Sequence, residues 1–534
     1  MEEDLEEAPR DPSDLHILTL NCWGLLHISA LRNERIAYIA HSLATMTPRP
    51  PDIVGLQELF TQEDYAVLRR RVRDVLPHGK FYHSGAFGGG LAILSRWPIV
   101  ESSMHGYPLN GRPTAFWHGD WYVGKGVAHA KIRISDAGGC GGDGGDDDED
   151  AVMVDVFNTH THASYGARDD GYACHSAAQA WHMAKLLREA DRGPAGGDRN
   201  LIVALGDFNM LPLSLAHDII TSHAPVHDVW RLLHPDSSLG SSGHPREAAR
   251  GRPVPTVDFN LRENGATSNN VSNTWRWSKA DRRNLSARNP CPVDPDAPDP
   301  HGQRLDYIFA STGHSPSPFS QSPSRPAWVV KDASVAMTHR HPDLQVSLSD
   351  HYAVHAILHR HSPGSENSSN RNSNADPSHA LRSGTYLSLS ETATAPPVVD
   401  VDFNAQLRHR PARDPARTLP LYDEIITLID RCRTRELREQ SWRGLHFYAS
   451  VVIFIGCLVA VWFSPHNGVA FALLLVSTLG LVSGVINGLL ALLFFSSELR
   501  NLAEFEWEIR NAKAAASGSL ATLGEFDDEE AKSR

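Results

Sequence analysis

The chain has 534 residues, of which 41% are hydrophobic and 21% are charged, and its formal net charge is −13. The apolar content is ample for a large core and excludes a wholly disordered, collagen-like or disulfide-scaffold protein. The excess of negative charge argues against a protein that holds polyanionic nucleic acid through its own surface.

The first part of the chain predicts an acidic arm followed by one large domain. Residues 1–14 are acidic and lack the apolar stretch of a secretory signal peptide. Over residues 15–361, apolar runs typical of β-strands alternate with helical stretches, which predicts a single α/β domain. The six cysteines have no metal-binding spacing, which is typical of a reducing compartment.

The domain is followed by a change in composition. Residues 362–420 are rich in Ser and Asn and short of apolar side chains, which predicts a flexible linker. Residues 421–444 carry apolar side chains at helical spacing, and arginines gather towards their C-terminal end. We interpret this segment as a basic juxtamembrane helix, which either lies on an anionic leaflet or is an ordinary solvated helix.

Two uncharged apolar segments, residues 445–463 and 469–495, predict a transmembrane helical hairpin. Only the turn sequence SPHNG separates them. Arginines precede the first segment, whereas the turn has no Lys or Arg. The large domain and the tail 496–534 are therefore expected on the cytosolic side, at the endoplasmic reticulum or another intracellular membrane.

Three glycines recur every fourth residue in the second apolar segment. Gly480, Gly484 and Gly488 share one helix face, and small residues let helices approach closely. We expect this face to pack against the first span or against a second copy of the chain. Chance spacing is the alternative, because glycine is common in membrane helices.

Polar side chains stand where several of the apolar runs end. Asn21, Glu58, His160 and Asp207 follow four of these runs, and His351 precedes the last one. Each residue alone is typical of turns or of a solvated surface. Together these carboxylate, amide and imidazole groups suit Mg²⁺ and phosphoryl chemistry, and no thiolate cluster of the zinc type accompanies them.

The polar motifs, taken in order along the chain, resemble those of the endonuclease/exonuclease/phosphatase superfamily. They are Asn21, QE, THTH, GDFN, LDYIF and SDH. A narrower set of features is similar to neutral sphingomyelinases and inositol phosphosphingolipid phospholipases C. These features are LNCWGL, QELF, GGGLAILSRWPI, NTHTHA, NTWR and the C-terminal hairpin. The resemblance implies a four-layer α/β sandwich over residues 15–361. It also implies a Mg²⁺-dependent phospholipase C that cleaves sphingolipid phosphodiesters to ceramide and a phosphorylated head group.

The resemblance implies a metal site at the strand ends. Glu58 would be the principal Mg²⁺ ligand, and Asn21 would lie beside it. Asp350 would complete the metal or hydrogen-bond shell, with a purely structural role as the alternative. The metal would polarise the phosphodiester and offset charge on the leaving alkoxide.

The resemblance also implies the catalytic roles. His351 would be the general base that takes a proton from water, and Asp306 would orient its imidazole. Asp207 and Asn209 would position water and the phosphate oxygens, and His160 would donate to the transition state.

Asp120 and Lys125 match a pair that forms a switch near the active site in the sphingomyelinase branch. Lys125 is interpreted as a phosphate contact or as the ion-pair partner of Asp120, with an ordinary surface lysine as the alternative. We expect no nucleotide site, because Gly126 follows Lys125 where a P-loop has Ser or Thr.

Several functions remain open on the sequence alone. A nuclease of the same superfamily is disfavoured by the net charge and the hairpin, and an inositol-polyphosphate phosphatase by the absence of a PAWCDR-like segment. An inactive membrane scaffold is disfavoured by the intact set of polar residues.

The expected partners are a membrane sphingolipid and anionic phospholipids, not nucleic acid. Inositol and choline head groups both remain possible, and the wording of the motifs favours inositol.

Overall fold

We describe the fold from a computed structural model. The structure describes residues 13–112, 114–115, 120–134, 152–163, 170–192, 200–311, 327–361 and 415–518. The predicted linker over 362–420 and the acidic arm over 1–14 lie almost entirely outside the described residues, as does the tail beyond residue 518.

Within the described residues, the β-strands form two mixed six-stranded sheets. In chain order the strands are β1 (Asp14–Asn21), β2 (Ile53–Gln57), β3 (His78–Tyr82), β4 (Leu91–Ser95), β5 (Ile99–Gly106), β6 (Gly126–Ile134), β7 (Val152–His160), β8 (Leu201–Asp207), β9 (His227–Asp228), β10 (Asp306–Ala310), β11 (Ala327–Ala336) and β12 (Ala353–His361). The sheet orders are β11-β12-β1-β2-β4-β3 and β5-β6-β7-β8-β10-β9. Each sheet has a parallel pair at its centre, β1 with β2 and β7 with β8.

Helices cover the outer faces of the sheets and form the C-terminal part of the chain. They are α1 (Arg32–Ala44), α2 (Gln62–Val72), α3 (Asp120–Val123), α4 (Ala173–Asp191), α5 (Leu215–His223), α6 (Val229–Leu233), α7 (Pro245–Ala248), α8 (Val257–Phe259), α9 (Lys279–Arg283), α10 (Pro415–Trp462), α11 (Asn467–Leu489) and α12 (Phe495–Ser517). Short 3₁₀ turns cover Asp170–Tyr172 and Thr274–Arg276, and π-helical turns cover Asn260–Asn264 and Leu490–Phe494.

The core has separate apolar layers because side chains alternate along each strand. Ile17 and Ile53 point between the two sheets, whereas Leu18 and Val54 point outward onto α1 and α2. On the other side, Phe157 of β7 packs under α4 and α5. The layers therefore follow the order helix, sheet, sheet, helix, and the predicted four-layer α/β sandwich is confirmed.

The predicted juxtamembrane segment is part of a longer helix. α10 runs without a break through 421–444 and on through the predicted first span, 445–463. Tyr422 and Ile429 are each 0% exposed and belong to the same apolar cluster as α4 and α5. The segment therefore packs its apolar face on the folded domain and is neither a freely solvated helix nor one that rests on a leaflet by that face.

The segment after the second span also returns to the folded domain. Phe505 of α12 joins the same apolar cluster. Two contacts connect α12 to α4, a hydrogen bond between His175 Nε2 and Glu498 Oε1 at 2.9 Å and an ion pair between Lys185 Nζ and Glu508 Oε1 at 2.6 Å. The two ends of the hairpin are thus fixed to one side of the α/β sandwich.

Among the described residues, two helices are long and apolar enough to cross a membrane. Their most apolar windows are only 6% and 11% buried, so these surfaces face outward and not into a protein core. An added Cβ at Gly484 would lie 2.4 Å from Ser450, and one at Gly488 would lie 2.8 Å from Phe447. At Gly480 it would meet no heavy atom of the described structure within 4 Å. Packing of a second copy on this face stays a prediction.

A buried ion pair anchors the start of β10. Arg304 donates to both carboxylate oxygens of Asp228, at 2.8 and 2.9 Å, and is 1% exposed. Burial alone would raise the pKa of Asp228, but the Arg304 guanidinium and the His217 imidazole hold it well below its usual range. Asp306 follows Arg304 by two residues, so this pair fixes the strand that carries it.

We predict that Arg304→Met lowers the thermal midpoint of the protein in detergent at pH 7. Loss of a buried partner costs about 3–5 kcal/mol. Because the folded-state pKa of Asp228 is lowered, the pair stabilises the fold above pH of about 4 and loses this effect as the pH falls further. The difference in thermal midpoint between wild type and variant should therefore shrink below a pH of about 4.

The control is Arg262→Met, which removes an exposed ion pair with Asp258. Exposed pairs contribute about 0–1 kcal/mol, so this variant should melt close to wild type at every pH. Equal melting of Arg304→Met and wild type at pH 7 would contradict the assignment.

Candidate active site

The polar residues that end the central strands meet at one end of the stacked sheets. Asn21 pairs with Gln57 at the ends of β1 and β2, and His160 pairs with Asp207 at the ends of β7 and β8. Asp306 begins β10 directly opposite Asp207. β12 runs antiparallel to β1, which brings the residues that precede β12 to the same end. The two parallel pairs thus gather functional groups from distant parts of the chain.

Asn21 joins the two halves of this site. Its Nδ2 donates to Glu58 Oε1 and to Asp207 Oδ2, both at 3.0 Å. Its Oδ1 accepts from the Trp23 backbone N–H at 2.9 Å. Because that bond fixes the amide, Asn21 presents its NH₂ group to the carboxylates. In this geometry its amide nitrogen bridges Glu58 and Asp207.

Glu58 is a buried carboxylate with spare bonding capacity. Its side chain is 13% exposed, and its Oε2 has no hydrogen-bond partner among the described residues. Burial and the neighbouring Asp350 carboxylate raise the pKa of Glu58 to about 7. Its backbone lies in the left-handed region at a φ of 53°. The fold therefore places this carboxylate in surroundings that disfavour its charged form.

The GDFN motif turns tightly at the end of β8. Gly206 has a φ of 141°, and an added Cβ would lie 1.9 Å from the carbonyl oxygen of Thr159, so only glycine fits there. Asp207 Oδ1 accepts from the Asn209 backbone N–H at 2.9 Å. Asn209 Nδ2 donates to the Thr161 carbonyl at 3.2 Å. The motif thus places Asp207 and Asn209 beside the end of β7.

Two carboxylates lie near one ring nitrogen of His351. Its Nδ1 lies 2.8 Å from Asp306 Oδ2 and 3.9 Å from Asp207 Oδ2. Burial alone would lower the pKa of His351, but the charges of Asp306 and Asp207 raise it well above its usual value. With Nδ1 held by Asp306, Nε2 is the ring nitrogen left for other partners.

Asp350 contributes mainly through its charge. It accepts from Ser349 Oγ at 3.3 Å, and burial raises its pKa. Asp207, Asp306 and His351 bring one possible ligand atom each to within 4.8 Å of one another. Asp350 is outside this group of three, and its carboxylate acts on Glu58 by raising the pKa of that side chain.

Lys125 lies inside the site. It is 4% exposed, and its Nζ lies 2.6 Å from Asp120 Oδ1. The same ammonium donates to the Thr161 carbonyl at 2.7 Å and lies 3.2 Å from His160 Nε2. The structure therefore brings the two predicted partners together, and Lys125 is not an ordinary surface lysine.

His160 faces the site through Nε2. This nitrogen lies 3.2 Å from Lys125 Nζ, 3.7 Å from Asp207 Oδ2 and 4.0 Å from Glu58 Oε1. Nδ1 is a buried atom without a hydrogen-bond partner in the described structure. Burial and the Lys125 charge lower the pKa of His160 well below its usual value, so the ring is neutral.

One residue that supports the site was not predicted. Arg35 of α1 is 0% exposed and donates to the carbonyl oxygens of Trp23 at 2.7 Å and Leu348 at 2.8 Å. Its guanidinium lies 4.7 Å from the Trp23 ring and 5.5 Å from the Trp275 ring. It therefore ties the loop after β1 to the segment before β12. An arginine on the apolar face of α1 was the available sequence signal.

The donor set fits a divalent cation of the Mg²⁺ type. The available groups are mainly carboxylate oxygens, which are hard ligands, and one of them is the unpartnered Glu58 Oε2. Burial and mutual repulsion raise the pKa values of Glu58 and Asp306, so a bound cation would relieve the excess negative charge. Glu58 and Asp207 are the side chains that could hold it while His351 keeps its contact with Asp306.

Comparisons with known proteins identify the family of this chain. The model of a family described as the Endonuclease/Exonuclease/phosphatase family matches residues 18–351. An inositol phosphosphingolipids phospholipase C from Schizosaccharomyces pombe is 32% identical over 511 residues, or 95% of this chain and 96% of the relative. Sphingomyelin phosphodiesterase 2 from Mus musculus is 29% identical over 216 residues, or 40% of this chain and 46% of the relative.

A solved structure also aligns with the chain. It is a sphingomyelinase C from Streptomyces griseocarneus, with 20% sequence identity and a TM-score of 0.38, covering 64% of this chain and 99% of that chain.

Proposed function

This chain belongs to the endonuclease/exonuclease/phosphatase family, as a phosphoric diester hydrolase of the sphingomyelinase and inositol phosphosphingolipid phospholipase C type, and we propose that it is a Mg²⁺-dependent phospholipase C. Its reaction would release ceramide and a phosphorylated head group from a sphingolipid. The observation that carries this proposal is the His351–Asp306 pair at 2.8 Å, placed beside Asp207 at the same strand ends as Glu58.

The proposed base is His351. Asp306 holds Nδ1, so Nε2 takes the proton from the attacking water. The same carboxylate fixes the ring and stabilises the imidazolium that forms. When bound at Glu58 and Asp207, Mg²⁺ supplies positive charge that polarises the phosphodiester and offsets the carboxylates that keep His351 protonated.

Three further groups would bind the phosphoryl oxygens. Lys125 supplies a buried ammonium, Asn209 supplies an amide, and His160 supplies Nε2, the ring nitrogen that faces Asp207 and Glu58. Donors in a site of low dielectric stabilise the charge of a pentacoordinate transition state more strongly than they would in water. Asp120 holds Lys125 in place through their ion pair of 2.6 Å.

We propose an inositol phosphate head group as the preferred one. The Schizosaccharomyces pombe relative named for inositol phosphosphingolipids aligns with 95% of this chain, whereas the sphingomyelin phosphodiesterase aligns with 40%. The net charge of −13 and the apolar hairpin argue against the nuclease alternative. The complete set of catalytic groups argues against an inactive scaffold.

The proposed setting is an intracellular membrane, with the endoplasmic reticulum as the leading candidate. The arginines before residue 445 and the absence of Lys and Arg from the SPHNG turn support a cytosolic α/β domain. Both ends of the hairpin pack on that domain, which keeps the site close to the substrate in the bilayer.

We predict that His351→Ala and Glu58→Gln each reduce hydrolysis of inositol phosphorylceramide by about 10²–10⁴-fold, because each removes a group required in the transition state. The assay compares labelled inositol phosphorylceramide, sphingomyelin and a DNA duplex, with Mg²⁺ and with EDTA. EDTA should abolish lipid cleavage.

The matched control is His78→Ala, which alters a partly exposed histidine at the start of β3, at the opposite end of the sheet from Glu58, and should retain activity. Full lipid cleavage by His351→Ala would contradict the mechanism. Cleavage of DNA alone would contradict the substrate class.

A cavity beside the hairpin supports the proposal that anionic phospholipids are partners. It has a volume of about 980 Å³ and lies between the loop near Arg112 and α10. Its arginines are Arg112, Arg431, Arg435, Arg438 and Arg443. Arg443 and His446 stand where α10 enters the first span, which is the depth of lipid head groups.

We predict that activity rises with the phosphatidylserine content of the membrane and that Arg431→Gln combined with Arg438→Gln weakens this dependence. Both arginines are exposed in this cavity, and each basic residue near an anionic surface contributes about 1 kcal/mol, or roughly thirtyfold for the pair. Activity is measured in mixed micelles against the phosphatidylserine fraction. Arg283→Gln, an exposed change on α9, is the control, and identical curves for wild type and the double variant would contradict the prediction.

A further inference from the structure

Aromatic side chains form a continuous strip from the edge of the catalytic site to the hairpin. The Trp121 ring stands edge-on to Phe494, with centroids 4.7 Å apart. Trp121 is in turn 5.0 Å from Tyr122, and Tyr122 is 6.4 Å from Phe87. We call Phe87, Trp121 and Tyr122 the aromatic strip. It begins at Phe494, in the π-helical turn that closes the second span.

The strip is attached rigidly to the catalytic site. Phe87 lies in the loop between β3 and β4, where Gly85 approaches Gly124 so closely that an added Cβ would lie 2.6 Å from its Cα. At the end of the same loop, Gly90 accepts at 2.9 Å from the backbone N–H of Leu59. Leu59 directly follows the proposed metal ligand. The loop therefore has little freedom to move without moving the site.

The tip of the strip is exposed next to surface that faces lipid. Phe87 is 68% exposed, and Trp121 and Tyr122 are half-buried. Leu492 and Leu493, which directly precede Phe494, are 56% and 58% exposed on the hairpin. Aromatic side chains are enriched where a membrane meets water, because their apolar rings can enter the interface. The strip continues the apolar surface of the hairpin at that depth.

We infer that Phe87, Trp121 and Tyr122 form a membrane-contact surface that enters the head-group region of the bilayer crossed by the hairpin. This inference rests on the membrane setting given above under the proposed function. Trp121 directly follows Asp120, so contact with the bilayer holds the Asp120–Lys125 pair at the membrane surface. A sphingolipid phosphodiester at that surface then needs to rise only a short way to reach the site.

The first test locates Phe87 relative to lipid. The full chain, with Cys140, Cys291 and Cys457 replaced by Ser, carries Phe87→Cys labelled with an environment-sensitive fluorophore, and is reconstituted in phosphatidylcholine vesicles. We expect a blue shift and quenching by doxyl-labelled lipid. The matched control is Val100→Cys, because Val100 is 46% exposed and lies at the end of β5 away from the site. A water-like spectrum at position 87, or equal quenching at both positions, would overturn the inference.

The second test measures hydrolysis as a function of the surface fraction of inositol phosphorylceramide. Phe87→Ser should raise the fraction needed for half-maximal rate about tenfold, because transfer of a phenyl ring into an apolar environment is lost. The maximal rate should change little, and Val100→Ser should match wild type. A loss of maximal rate without a change in the half-maximal fraction would overturn the inference. If wild type cleaves no sphingolipid, the proposed function fails, while the fluorescence still decides the membrane contact.

Discussion

The chemistry of this molecule depends on carboxylates that are buried together at one end of two sheets. Removing a carboxylate from water is costly, and the cost grows when like charges share the site. Burial raises the pKa values of Glu58, Asp306 and Asp350. Two cationic groups offset part of this negative charge. Lys125 lies within this region, and His351 retains a proton beside Asp306. The remaining negative charge makes the site suited to a divalent cation and to a phosphodiester bound through it.

The fold keeps these repelling groups in place by rigid connections. The parallel pairs β1–β2 and β7–β8 end on the same side, and Asn21 bonds Glu58 to Asp207 across them. Arg35 joins the loop after β1 to the segment before β12. The C-terminal helices add a layer outside the sandwich, with Tyr422 and Phe505 in one apolar cluster. The membrane hairpin and the catalytic groups therefore belong to one packed unit, and the orientation of the site towards the bilayer follows from that packing.

Much of this could be predicted because the decisive residues stand at strand ends. Glu58 and Asp207 follow apolar runs directly, and the order of motifs implied both the sandwich and the pairing of Asp120 with Lys125. The packing of α10 could not be predicted, since an amphipathic face indicates burial without naming its partner. The orientation of the Asn21 amide could not be predicted either, because it depends on the backbone N–H of Trp23 in a turn with positive φ.

The central claim is that a water molecule activated by His351 attacks phosphorus. Hydrolysis of inositol phosphorylceramide in H₂¹⁸O, followed by mass spectrometry of both products, tests it most directly. The account predicts one ¹⁸O atom in the phosphate of the released inositol phosphate and none in the ceramide hydroxyl. Label in the ceramide, or a first-formed cyclic inositol phosphate without label, would contradict it.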